Sequence, residues 1–104
     1  MIMAPKQFTY FDYPEMSVHK VYSFDPIPKE LTAAQAGHIL GAQGQMWTDR
    51  HPAGNQIDAM MHPRSAALAE VLWSPQEGRD YEGLMRRLKT HVQRLAMLGV
   101  QYRP

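Results

Sequence analysis

The chain reads as an incomplete α/β unit, a piece cut from a larger sheet or barrel. Three observations predict this. Two β-prone segments are separated by a short helix. The second of them is apolar on both sides of its alternation, which calls for cover on both faces. Two amphipathic helices then follow without a third strand. Two strands joined through a helix make one βα-type unit, and a parallel pair needs further neighbours at its edges. The 104 residues suffice for one small domain, whereas a closed barrel takes about 250. Residues 1–104 are therefore expected to form a single partial domain.

The elements follow in order. Residues 6–13 are predicted as a strand, with Phe8, Tyr10 and Asp12 on one side and Thr9, Phe11 and Tyr13 favouring extended backbone. Pro14 stops it. Residues 14–31 form a long connection punctuated by Pro14, Pro26 and Pro28, but Tyr22-Ser23-Phe24-Asp25 is aromatic enough to pack down. Thr32 caps a short helix over 33–38. Gln35 completes a capping-box pattern, and Leu31 stands where a hydrophobic staple would. A second strand is predicted from about Ile39 to Trp47. Gly41 and Gly44 would weaken it unless something approaches the backbone closely there. Residues 50–55 are a loop. Ile57, Met60, Met61, Leu68, Val71 and Leu72 keep helical spacing, with a kink or a restart at Pro63. Trp73 ends this element on its apolar side and reads as structural. Tyr81, Leu84, Met85, Leu88, Val92 and Leu95 form a second stripe, stopped at Gly99.

Composition excludes several classes of function. The net charge is +1 and there is no cysteine. Near-neutrality gives no call for nucleic acid or an acidic membrane. Without cysteine there is no disulfide framework and no thiolate nucleophile. No apolar run approaches the roughly 20 residues of a membrane span. The opening Met1-Ile2-Met3-Ala4-Pro5-Lys6 is too short to read as a secretion signal. The five histidines lack metal-ligand spacing with one another or with acids, so neither a metal nor a cofactor is expected. Arg86, Arg87, Lys89 and Arg94 are the solvated face of an amphipathic helix. Arg64 and Glu70 share a helix and read as a framework pair.

Two stretches carry the chemistry. Tyr10-Phe11-Asp12-Tyr13 and Met46-Trp47-Thr48-Asp49 each set an aromatic ring two positions before a carboxylate. Along a strand, residues i and i+2 point to the same side. Tyr10 with Asp12, and Trp47 with Asp49, would project together at strand ends. A ring beside a carboxylate suits a sugar, whose C–H groups lie on the ring while its hydroxyls donate to the oxygens. Structural roles stand beside these. Tyr10 serves equally as a half-buried packing aromatic, Asp12 as a turn-former before Pro14 and Trp47 as core. Asp49 serves equally as a cap or as a partner of Arg50.

These motifs occur in succession with Leu40-Gly41-Ala42-Gln43, Pro63-Arg64-Ser65-Ala66-Ala67-Leu68-Ala69-Glu70-Val71-Leu72-Trp73-Ser74, Arg86-Arg87-Leu88 and Leu98-Gly99-Val100-Gln101-Tyr102. Together they resemble the C-terminal part of a glycoside hydrolase family 20 β-N-acetylhexosaminidase. The resemblance implies the last two strands of a (β/α)₈ TIM barrel and the helices that close it. It implies removal of terminal N-acetylglucosamine or N-acetylgalactosamine from glycans by a substrate-assisted mechanism, outside the usual two-carboxylate scheme. Tyr10 would then be the catalytic contributor, donating to the acetamido oxygen that attacks the anomeric carbon. Asp12 and Asp49 would accept from sugar hydroxyls, and Trp47 would form part of the pocket wall. The family's usual residue at position 49 is glutamate, and aspartate reaches about 1.5 Å less far. The family's Asp-Glu pair is absent from these residues, so the remainder of a barrel, or another copy of the chain, is the implied partner. A periplasmic, secreted or lysosomal setting is implied by the resemblance alone. The alternative is a non-catalytic remnant or assembly module that associates through exposed strand edges.

Overall fold

A computed structural model describes residues 1–48 and 53–103. Strand β1 (Ile2–Met3) leads into α1 (Lys6–Thr9), α2 (Val18–Tyr22), α3 (Ala33–Ala36) and strand β2 (Gly41–Ala42). Helices α4 (Gly54–Met61) and α5 (Arg64–Trp73), a 3₁₀ turn at Gln76–Gly78 and α6 (Tyr81–Met97) complete the chain. The two strands run parallel, with Ile2 opposite Gly41 and Met3 opposite Ala42.

The strand predicted over 6–13 is overturned. Its first half is a helical turn. The Pro5 carbonyl accepts from the amides of Phe8 and Thr9, each at 3.0 Å, and from the Thr9 hydroxyl at 3.0 Å. The turn stacks Phe8 on Phe24 with ring centroids 5.2 Å apart and buries Thr9 completely. That packing outweighs the extended propensity of Phe-Thr-Tyr-Phe. Pairing resumes afterwards as a parallel bridge between Tyr10 and Gln45. The Thr9 carbonyl accepts from Gln45 N at 2.8 Å, and the Gln45 carbonyl accepts from Phe11 N at 2.7 Å. Thus one edge, residues 40–45, meets two separate pieces of the other, with residues 4–8 looped out between them.

The predicted second strand shrinks to Gly41–Ala42 and the bridge at Gln45. Expected cover on both faces is missing among the described residues: Leu40 is exposed, and Gly41 and Ala42 are only half-buried. A Cβ at Gly44 would stand 2.5 Å from Cε2 of Phe11 and 3.2 Å from Cδ2 of Leu68, so the close approach expected there is real. Among the described residues nothing lies within 4 Å of such an atom at Gly41.

Helices α3 to α6 follow the sequence expectation, whereas α2 forms inside the predicted connection. Thr32 caps α3 by accepting from Gln35 N at 3.2 Å, and Gln35 Oε1 accepts from Thr32 N at 2.9 Å. Pro63 marks a restart, standing at the N-cap of α5 with its carbonyl accepting from Ala66 N at 2.9 Å. Gly99 ends α6 in the left-handed region at φ 74°. Its amide donates to Ala96 O, and the Val100 amide reaches back to Leu95 O at 2.9 Å, a Schellman closure. The core gathers Phe11, Val21, Tyr22 and Phe24 from the connection with Leu68 and Val71 of α5 and Leu84 and Leu88 of α6. The long connection thus packs down through α2 against α5. Trp73 departs from its structural reading: it is 90% exposed.

Candidate functional site

The site begins at the resumption of strand pairing. Tyr10 closes α1 as its C-cap, with extended backbone at φ −92° and ψ 95°, and bridges to Gln45. Its ring is half-buried and tilted toward Tyr13, with centroids 6.5 Å apart. The chain then turns through residues 11–15. Phe11 points into the core, 1% exposed, and Asp12 beside it is buried at 5%. Trp47 follows two residues after the bridge partner Gln45 and is 56% exposed. The ring of Trp47 is therefore open to an incoming molecule, not core, as one of its two readings had it. Asp49 lies outside the described residues. The i, i+2 argument for Tyr10 and Asp12 loses its basis, because the segment bends into a turn directly after Tyr10.

The residue that organises this turn is Arg64. It is 3% exposed at the start of α5. Its Nε donates to Met60 O at 2.9 Å, and its Nη1 donates to Tyr13 O at 2.7 Å and Met16 O at 3.0 Å. Its Nη2 donates to the carbonyls of Phe11 and Met60. The guanidinium carbon also sits 5.4 Å from the Phe11 ring centroid. Arg103, from the C-terminal tail, adds a bond from its Nη1 to Pro14 O at 2.7 Å. Burial lowers the Arg64 pKa to about 10; the Arg103 charge adds to this, while Asp12 and Glu15 act in the opposite sense. The group stays protonated at neutral pH.

The expected Arg64–Glu70 pair is replaced. Glu70 accepts instead from Arg87 of α6, from Nε at 3.0 Å and from Nη2. This bond is the leading cause of the raised Arg87 pKa. The sequence did hold a signal for Arg64. It stands four residues after Met60 and four before Leu68, in the middle of the apolar stripe. A cation on a buried face requires dedicated acceptors.

Two cavities, of about 660 and 700 Å³, open beside the turn; Glu15 and Met16 line both, and neither is lined by Tyr10, Asp12 or Trp47. What these residues offer is a phenolic hydroxyl, a carboxyl and an open indole face on two adjoining segments. That set can donate to one oxygen, accept from hydroxyls and stack on an apolar ring face.

The model of the glycosyl hydrolase family 20 catalytic domain matches residues 1–76. A Porphyromonas gingivalis β-hexosaminidase is 35% identical over 85 residues, covering 82% of this chain and 11% of that protein. An Akkermansia muciniphila β-hexosaminidase is 32% identical over 108 residues, covering 89% of this chain and 21% of that protein. The chain thus spans a small part of the length of these relatives. The crystal structure of the Vibrio harveyi family 20 exo-β-N-acetylglucosaminidase in complex with N-acetylglucosamine superposes with a TM-score of 0.84 at 28% identity. That superposition covers 99% of this chain and 18% of the other. With sequence and backbone agreeing along most of its length, the chain belongs to glycosyl hydrolase family 20.

Proposed function

We propose that this chain is the C-terminal segment of a (β/α)₈ β-N-acetylhexosaminidase barrel, made of its last two strands and closing helices. In this reading it contributes one wall of the pocket for a terminal N-acetylhexosamine. The observation that chiefly supports it is the parallel bridge between Tyr10 and Gln45. It ties the segment bearing Tyr10 to the segment leading into Trp47. The substrate's acetamido oxygen attacks the anomeric carbon as the bond to the leaving oxygen breaks, and the Tyr10 hydroxyl donates to the acetamido oxygen, holding it in line for attack. Trp47 flanks the sugar ring. Asp12 and Asp49 accept from sugar hydroxyls, and for Asp12 this requires the pocket to form against its buried side. No Asp is followed directly by Glu in these residues, so the acid that protonates the leaving oxygen comes from other polypeptide.

The test replaces the matched segment of the Akkermansia muciniphila relative with residues 1–104 and follows hydrolysis of p-nitrophenyl N-acetyl-β-D-glucosaminide. The chimera is expected to turn over, and Tyr10→Phe to lower its kcat by about 10²-fold, as misplacement of a reacting group does. A folded chimera that is inactive, or a Tyr10→Phe variant with unchanged kcat, would overturn the assignment.

A second reading is favoured by the open sheet: an assembly module without catalysis, paired through its strand edges. Its support is the exposure of Leu40 at 77% beside β2.

A further inference from the structure

We infer that Arg64, assisted by Arg103, is a positioning residue that holds the turn after Tyr10 and thereby sets the aim of the Tyr10 hydroxyl. This rests on the reading of Tyr10 proposed above. The turn's own hydrogen bonds are long: Tyr13 N to Tyr10 O and Met16 N to Tyr13 O are both 3.3 Å. The bonds to the carbonyls of Phe11 and Met16 are buried, where a carbonyl needs a protein donor. Arg64 supplies donors to Phe11, Tyr13 and Met16 at once, and Arg103 supplies one to Pro14. Arg64 is anchored in turn on Met60 O, at the junction of α4 and α5. Phe11 and Arg64 are 53 residues apart in sequence, so the guanidinium links the helical layer directly to the strand end. Tyr10 is the residue immediately before the first clamped carbonyl. A rigid five-donor fork can span several carbonyls, and a lysine ammonium at the end of a flexible stem cannot. Arg64→Lys therefore keeps the charge and loosens the turn.

The experiment has two arms. In the Akkermansia chimera, Arg64→Lys is combined with Tyr10→Phe in a double-mutant cycle. Arg64→Lys is expected to lower kcat by about 10- to 100-fold when Tyr10 is present, the cost of a small misplacement, with a smaller change in KM. In the Tyr10→Phe background the same substitution is expected to change kcat less than about twofold, since non-additivity marks residues acting as a unit. Equal losses in both backgrounds would mean a merely structural role and overturn the inference. In the second arm, amide hydrogen exchange is measured on the 104-residue chain. Arg64→Lys is expected to speed exchange at Phe11, Tyr13 and Met16 while α6 keeps its protection. Unchanged exchange in the turn would overturn the clamp. If Arg64→Lys does not fold, Arg103→Met takes its place. It removes the Pro14 bond and the charge beside Arg64 while leaving Arg64 in place, with the same dependence on Tyr10 and a smaller loss expected, and equal losses in both backgrounds again count against the inference. If the chimera with Arg64 intact is inactive, the reading of Tyr10 fails, the catalytic part of the inference falls with it, and exchange alone decides whether Arg64 holds the turn.

Discussion

At the scale of single residues, two positions show how shape outweighs propensity. Gly44 sits where a side chain would collide with the Phe11 ring and the Leu68 methyl. Both neighbours are buried core residues. Gly44→Ala is therefore expected to destabilise the chain by about 1–3 kcal/mol, the usual cost of overpacking, read as a lower denaturation midpoint with an unchanged m-value. A midpoint equal to the parent's would show that Phe11 yields freely. Arg64 is the other such position. Its place on an apolar stripe was visible in the residue order, but its acceptors are backbone carbonyls, and no side-chain pattern announces those. Glu70 offered itself as the obvious partner and is taken by Arg87.

At the scale of elements, helices α3 to α6 were legible, whereas α1, α2 and the strands were not. The stripe of α6 buries Leu84, Leu88 and Leu95 as its spacing requires. Its end at Gly99 obeys backbone sterics, since φ 74° strains any residue with a Cβ. Gly99→Ala is expected to cost about 1 kcal/mol, seen as a lowered Tm and loss of exchange protection at the last turn of α6. An unaffected last turn would mean that the closure is dispensable. Thr32 and Gln35 behave likewise, because a capping box is contained within four neighbouring residues. The strand over 6–13 failed for the opposite reason. Whether Phe8 extends or turns depends on Phe24, which stacks on it from the far side of the connection. Local preference carries no knowledge of that contact. The register that survives, Tyr10 against Gln45, is likewise a long-range fact.

At the scale of the whole molecule, the chain carries more apolar surface than its own packing covers. Leu40, Trp47 and Trp73 are exposed, with Trp73 at 90%, and the sheet is two-stranded with open edges. Such edges and patches recruit further polypeptide. The purified chain is therefore expected to associate at micromolar concentration, giving a mass above 11.9 kDa by sedimentation or light scattering. A clean monomer with dispersed NMR signals would count against a segment that needs covering. By the proposed mechanism the isolated chain also shows no turnover of p-nitrophenyl N-acetyl-β-D-glucosaminide. Measurable hydrolysis would mean that the acid is supplied within these residues.

Sequence alone determined the family, helices α3 to α6, the Thr32 cap and the Gly99 stop. These rest on short-range spacing, on the shape of a turn and on ordered motifs, which are written locally. Tertiary structure alone decided that the Tyr10 segment bends after its bridge and that Asp12 turns inward. It also decided that a buried guanidinium holds that bend from 53 residues away. The reason is that a carbonyl's partner and a ring's neighbour are properties of three-dimensional packing, and residues distant along the chain compete for them only once it has folded.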